Sequence, residues 1–150
     1  MKDLCTEYLG NNVKIIHNKM DLLFTRKTNN LLNGLTGTQY LILIYLYEVP
    51  NQRTLQKNIE NKFELSHPTT VGIVKRLAAQ NLVVTRPFAK NRRQTEVIIS
   101  DNAKNLLSNV QSGPREVLEE VDNTALTGFS NQERAQLSAY LQRINANLNG

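Results

Sequence analysis

Apolar side chains recur at three- and four-residue spacing in two segments near opposite ends of the chain. Such spacing places them on one face of a helix. In the first segment they are Val13, Ile16, Met20, Leu23 and Phe24. In the last, which the capping box of Ser130 and Glu133 begins, they are Leu137, Tyr140, Leu141, Ile144 and Leu148. The pattern predicts a long first helix and a last helix, each with one apolar face.

Two further helices are predicted in the first half of the chain. Thr36 and Gln39 have the spacing of a capping box and begin a second helix that ends near Glu48. Because this helix is apolar on all sides, we expect it to be central and buried. Pro50 interrupts the chain, and a short third helix is predicted to begin at Thr54. Its repeating apolar residues are Leu55, Ile59 and Phe63.

A tight turn separates the third helix from a fourth. Ser66 is a favoured N-cap, and Pro68 is tolerated in the first turn because an N–H there would have no helical partner. Asn81 is expected to end the helix in the left-handed conformation. The face predicted to be buried carries Thr70, Ile73, Val74 and Leu77. The opposite face carries Pro68, Val71, Gly72, Lys75 and Arg76.

Two β-prone runs follow, at residues 82–86 and 95–99, on either side of the polar and basic segment 87–94. This pattern predicts a β-hairpin with a basic tip. Helical periodicity then resumes from Ala103 to Val121, with a kink or break expected at Pro114. The elements together predict a mostly α-helical fold with one small β-hairpin.

Composition and length favour an ordinary globular protein. The 150 residues suit a single domain, and 40% are hydrophobic and 21% charged. The longest apolar run, residues 41–47, is far shorter than the roughly 18 residues of a membrane span, and the N-terminus lacks a signal-peptide core. Cys5, the single cysteine, cannot form a disulfide within the chain. These features predict a cytoplasmic protein that does not associate with membranes.

The positive charge is concentrated in one part of the chain. The net charge is +5, whereas residues 65–95 contain six cationic side chains and no Asp or Glu, so the remainder is slightly acidic. A segregated basic patch indicates a polyanionic partner, and a solvated cationic face is the alternative that charge alone leaves open. The six cations are Lys75, Arg76, Arg86, Lys90, Arg92 and Arg93.

The order of the elements favours DNA as that partner. Two short helices joined by a tight turn and followed by a basic hairpin have the arrangement of a winged helix-turn-helix. The small residues Pro68 and Gly72 would let the fourth helix approach the major groove closely, while Lys75 and Arg76 reach phosphates. The predicted partner is double-stranded DNA, and no cofactor is expected.

These residues resemble the multiple-antibiotic-resistance regulator (MarR) family of bacterial transcription factors over nearly the whole chain. Order and spacing carry the resemblance, in the stretches Leu35-Thr36 with Gln39, Ile59-Glu60 with Phe63, Leu65-Ser66-His67-Pro68-Thr69 through Lys75-Arg76-Leu77, Arg86 to Arg93, and Phe129-Ser130 with Glu133, Leu137, Leu141 and Ile144. The resemblance implies one domain over residues 1–150. A DNA-binding lobe would span 35–100, and dimerisation helices would span 1–34 and 101–150.

The resemblance also implies where DNA binds. The fourth helix would contact the major groove, and Arg92 or Arg93 would enter the minor groove, with Arg93 preferred. Asn91 departs from the family's usual Asp, which holds the wing arginine by a salt bridge. We expect Asn91 to accept a hydrogen bond from that arginine and to leave the wing more mobile. Asn81 stands where Gly is usual. The implied DNA-binding residues are Ser66, His67, Pro68, Thr69, Val71, Gly72, Lys75, Arg76, Arg86, Lys90, Arg92 and Arg93.

A homodimer is predicted on two grounds. Family members are dimers, and the apolar faces of the flanking helices exceed what a small winged-helix core can cover. Twofold symmetry then predicts a palindromic operator with half-sites about 10 base pairs apart. The resemblance further implies a repressor that responds to a small-molecule effector. Candidates for its crevice are His17, Tyr40 and Tyr45, with core packing as the alternative for each.

Other functions have less support in the sequence. No constellation of nucleophile, base, metal ligands or phosphate loop is evident, so an enzyme is not predicted. His17 and His67 lack companions at metal-ligand spacing, and His67 is interpreted as facing DNA rather than only solvent. Cys5, with Lys2 alone nearby, is interpreted as having no role rather than as a thiol sensor. A DNA-binding protein without sequence preference is the remaining alternative to a regulator.

Overall fold

The computed structural model describes residues 7–28, 34–109 and 115–150. Cys5 and the predicted kink at Pro114 lie outside these residues. Within them the helices are α1 (Leu9–Thr28), α2 (Gly37–Glu48), α3 (Gln56–Phe63), α4 (His67–Ala79), α5 (Asp101–Ser108), α6 (Glu116–Ala125) and α7 (Asn131–Leu148). The strands are β1 (Arg53–Leu55), β2 (Val83–Phe88) and β3 (Asn91–Ile99). In these ranges no helix has the length and apolarity needed to cross a membrane.

Side-chain caps begin three helices where the sequence predicts them. The Thr36 hydroxyl accepts the Gln39 N–H at 3.3 Å, and the Gln39 side chain accepts the Thr36 N–H at 3.1 Å. Ser130 and Glu133 form the same capping box at α7. Ser66 accepts a backbone N–H from the first turn of α4. These bonds confirm the predicted starts, because they satisfy N–H groups that have no partner within a helix.

The end of α4 is also confirmed. Asn81 has a φ of +58°, in the left-handed region. Its N–H donates to the Ala78 carbonyl at 3.0 Å, and the Leu82 N–H donates to the Leu77 carbonyl at 2.9 Å. These two bonds form a Schellman motif. Asparagine therefore ends α4 in the conformation for which glycine is usual.

The sheet has one strand more than the sequence predicts. Its order is β1-β3-β2, and both neighbouring pairs are antiparallel. The prediction that the third helix begins at Thr54 is wrong, because Thr54 pairs with Val97 in β1 and α3 begins at Gln56. A strand of three residues is too short to show a periodicity of its own, so its conformation depends on pairing with β3.

The predicted hairpin is present as β2 and β3, which we call the wing (residues 83–99). Both strands extend further towards the tip than predicted. Phe88 pairs with Asn91, which leaves Ala89 and Lys90 as the turn, and the register is irregular between Pro87 and Phe88. Segment 87–94 is too polar for the core. It can still form the exposed end of a hairpin, because the strands of a hairpin pair through their backbones.

α2 lies at the centre of the core, as its all-round apolarity predicts. Its residues Tyr40, Ile42, Leu43 and Leu46 are fully buried. Buried apolar side chains from α1, α3, α4, both wing strands, α5 and α6 complete the same cluster. α7 contributes no buried residue. The segment from residue 35 to 100, which we call the recognition lobe, therefore packs around α2 together with α1, α5 and α6.

Candidate nucleic-acid interface

α4 has one buried face and one open face. α3 and β2 pack against the buried face, whose residues are Thr70, Ile73, Val74 and Leu77. On the opposite face Pro68, Lys75 and Arg76 are exposed, and Val71 and Gly72 are half-buried. A Cβ added at Gly72 would meet no atom within 4 Å. The space above the middle of α4 is therefore open to a partner, as a helix that enters a groove requires.

At the start of α4, three of the predicted contact residues have side chains that are already bonded. Ser66 and Thr69 are occupied by capping, since the Ser66 hydroxyl accepts the Thr69 N–H and donates to Thr69 Oγ1 at 2.8 Å. The His67 Nδ1 lies 2.5 Å from Oε1 of Glu60, which comes from α3. The His67 side chain is nevertheless 71% exposed, and that of Glu60 is 16% exposed. His67 is thus held at one ring nitrogen and open elsewhere.

The wing carries its cations at and beside the turn. Lys90 lies in the turn, Arg92 and Arg93 follow on β3, and all three are exposed. Both arginines lie in the irregular part of β3, between the partners of Phe88 and Pro87. A shallow, open depression of about 470 Å³ on the wing is lined by Arg86, Pro87, Ala89 and Arg92.

Asn91 bonds to the backbone of the wing. Its Oδ1 accepts the backbone N–H of Arg93 at 3.1 Å. The expected acceptor is therefore present, but it engages the Arg93 main chain instead of the guanidinium. The Arg93 side chain extends from a turn that Asn91 helps to hold.

Five cations of α4 and the wing form no ion pair with any residue in the ranges that the structure describes. Unpaired cations on one lobe can neutralise phosphates without first breaking a bond within the protein. We call this set the basic surface, and its members are Lys75, Arg76, Lys90, Arg92 and Arg93.

Arg86 differs from the basic surface because it is paired within the sheet. Its Nε lies 2.7 Å from Glu96 Oε2, and Arg53 Nε lies 3.5 Å from Glu96 Oε1. Glu96 is buried, and a buried carboxylate requires such partners. Sequence reasoning missed Glu96, which lies one position beyond the acid-free segment. A regular turn at Ala89 and Lys90 would place Arg86 opposite Arg93, so the Arg86–Glu96 pair depends on the register shift between Pro87 and Phe88.

The three candidates for an effector crevice have separate surroundings. Tyr40 is fully buried with its ring 5.3 Å from that of Phe24, and burial raises the pKa of Tyr40 to about 12. Tyr45 packs edge-on against Phe63 at 5.8 Å. His17 is exposed on α1 and pairs with a carboxylate one helical turn later. Tyr40 is therefore a core residue, as the alternative interpretation has it. The described residues gather no group of three or more His, Cys, Asp or Glu that could hold a metal ion.

Apolar side chains remain exposed on the N-terminal half of α1 and along α7. Val13 and Ile16 are exposed on α1, although the C-terminal half of that helix packs on the core. On α7 the exposed apolar residues are Tyr140, Leu141 and Leu148. The predicted stripes are thus present, but one chain does not bury them.

Comparisons with known proteins agree with this architecture. The sequence model of the MarR family matches residues 33–94. The chain is 25% identical to the uncharacterized HTH-type transcriptional regulator YybA of Bacillus subtilis (strain 168). The aligned 114 residues cover 76% of this chain and 72% of YybA. A probable transcriptional regulator from Pseudomonas aeruginosa is 25% identical, with a TM-score of 0.74 over 92% of this chain and 97% of its own. The protein chain of the S. aureus MepR–DNA complex is 18% identical to this chain, with a TM-score of 0.78 over 93% of this chain and 98% of the MepR chain.

The matched segment contains α2, the helix pair α3–α4 and all five residues of the basic surface. The structural similarity also extends over the flanking helices, since it covers more than nine-tenths of both chains. MarR family proteins are transcription regulators and not enzymes. Over residues 33–94 the chain thus matches the model of the MarR family, and over nine-tenths of its length its fold is similar to that of a probable transcriptional regulator.

Proposed function

We propose that this protein regulates transcription by binding double-stranded DNA with sequence preference as a homodimer. The observation that carries the proposal is the basic surface, in which α4 and the wing of one lobe present five unpaired cations. A protein of the same fold, S. aureus MepR, has been solved in complex with DNA. Counterion release from phosphates would supply most of the affinity, and contacts to base edges would supply the preference.

In this proposal α4 lies in the major groove, which is about 12 Å wide and admits one helix. Pro68 and Gly72 allow close approach to base edges, and Lys75 and Arg76 contact the flanking phosphates. The wing reaches the adjacent minor groove through Arg93. Arg86 contributes less than the basic surface, because Glu96 already offsets its charge.

The homodimer would bury the apolar faces of α1 and α7, which a single chain leaves exposed. Residues 1–34 and 101–150 would form this interface, and residues 35–100 would remain free to bind DNA. A twofold axis would place two copies of α4 on a palindromic operator with half-sites about 10 base pairs apart.

Selection of bound genomic fragments, followed by titration of the selected and of random duplexes, tests the proposal. We expect affinities that differ by at least about a thousandfold. Lys75→Ala should weaken binding to all duplexes alike and reduce the salt slope by about one. Lys104→Ala, at a lysine that pairs with Asp101 on α5, is the matched control and should leave the slope unchanged. A ratio near one would instead indicate binding without sequence choice.

The proposal extends to repression that a small molecule relieves. His17 and Tyr45 keep access to solvent and remain the candidate effector contacts, whereas Tyr40 does not. A reporter placed behind the selected operator should be silenced by the protein and restored by the effector. Transcription that rises with protein concentration would identify an activator.

A further inference from the structure

The contact between Glu60 and His67 is not needed to end α3 or to begin α4. Glu64 ends α3 with a φ of +50°, and its N–H donates to the backbone carbonyl of Glu60. Ser66 caps α4 with its own hydroxyl. The backbone of Glu60 therefore holds the turn, while its carboxylate is directed to the His67 ring.

The chemistry of this contact determines which ring nitrogen is available. An ionised carboxylate only accepts hydrogen bonds, so Nδ1 of His67 must carry the proton between them. In the neutral ring Nε2 is then an acceptor. The donors that a major groove offers to such an acceptor are the exocyclic amino groups of adenine and cytosine. His67 is at the N-terminal end of α4, where recognition helices contact base edges.

We propose that Glu60 is a positioning residue that acts through His67. By fixing the proton on Nδ1 it presents Nε2 as an acceptor to the major groove and sets a preference for adenine or cytosine at one position of each half-site. This inference rests on the proposed function, because it requires α4 to meet DNA.

A simple charge effect of Glu60 would have the opposite sign. Removing one negative charge from a DNA-binding lobe strengthens binding to every duplex. Loss of a positioned acceptor weakens binding only to duplexes with the preferred base. The two explanations are therefore separated by measuring preference rather than affinity alone.

The first arm of the test measures the base preference of wild type, Glu60→Met, His67→Ala and the double variant, on operators that carry each base in turn beneath α4. Glu60→Met should reduce the preference for adenine or cytosine at one position by roughly two- to tenfold, the effect of one hydrogen bond. It should have no such effect in the His67→Ala background. Glu64→Gln removes the same charge at the end of the same helix and should leave the preference unchanged.

The second arm uses the wild-type protein without DNA. Nitrogen NMR of the imidazoles should show His67 protonated at Nδ1 alone in neutral to mildly alkaline buffer. His17, the other histidine of the chain, provides an internal reference because it meets Asp21 through Nε2. This arm does not depend on the folding of any variant.

Three results would overturn the inference: an unprotonated Nδ1 or a proton on both nitrogens, an effect of Glu60→Met that persists without His67, or equal changes on all duplexes. If wild type shows sequence preference and any of these is found, the positioning role fails alone. If wild type prefers no duplex, the proposed function fails and the positioning role fails with it.

Discussion

α4 and α7 are both amphipathic helices that begin at a serine N-cap, yet their apolar faces differ in burial. α4 buries four residues against its own chain, whereas α7 buries none. The difference follows from their neighbours, since α4 is packed by α3 and β2 while α7 retains an exposed stripe of apolar side chains. Apolar periodicity therefore predicts that a helix face will be buried. It does not predict whether the same chain or a second molecule buries that face. The core around α2 covers the apolar face of α4, whereas the stripe of α7 stays exposed in a single chain.

The largest effect is expected from a cavity in the recognition lobe. Leu77 is fully buried on α4, so Leu77→Ala should lower the free energy of unfolding by about 2 to 5 kcal/mol. Urea unfolding would measure the loss. Val84→Ala, at an exposed position of the same lobe, is the control and should cost no more than about 0.5 kcal/mol. A loss below about 1 kcal/mol for Leu77→Ala would contradict the close packing of the core around α4.

The next effect concerns the face that one chain leaves open. Leu141→Glu puts a charge into the proposed dimer interface, and we expect the dimer dissociation constant to rise by roughly a hundredfold or more because an unpaired charge is costly to bury. Light scattering and sedimentation would measure it, and circular dichroism should show an intact lobe. Gln142→Glu adds the same charge one residue away, off the apolar stripe, and should leave the dimer intact. Equal behaviour of the two variants would place the interface elsewhere.

A smaller effect is expected from removing an exposed arginine of the wing, because this change leaves the packing of the core unchanged. Arg93→Ala should cost on the order of 1 to 3 kcal/mol on operators with A·T pairs beneath the wing, because their narrow minor groove attracts arginine. The loss should be smaller on G·C operators. Arg92→Ala, at the neighbouring position of β3, should weaken binding to both kinds equally. Titrations would refute the assignment if Arg93→Ala lost the same affinity on both, since Arg93 would then touch only the backbone.

The smallest effect is expected at Asn91. An Asp at this position can still accept the Arg93 N–H. It adds a negative charge at an exposed position, where ion pairs contribute little energy. Asn91→Asp should therefore change operator affinity by less than about 1 kcal/mol. Asn105→Asp adds the same charge on α5 and serves as the control. A more than tenfold change at Asn91 alone would show that wing rigidity matters more than we infer.

Local signals were sufficient for the starts of α2 and α4 and for the faces of α4. Capping residues such as Thr36 and Ser66 act on backbone groups three residues away, so their effect is encoded in the sequence nearby. Asn81 could be placed for the same reason. β1 could not be predicted, because Thr54 becomes a strand residue only by pairing with Val97, far along the chain. The same limit applies to Arg86, whose partner Glu96 depends on the register of the hairpin.

The sequence by itself determined the order of the helices, the hairpin, the central position of α2 and the segment that carries the excess positive charge. Each of these depends on residue type and on spacing of a few positions, which local physics converts into structure. Only the tertiary structure decided which cations are unpaired, that Tyr40 lies in the core and that Glu60 meets His67 across a turn. These outcomes depend on distances between elements, which are set when the elements pack together and which no single segment contains.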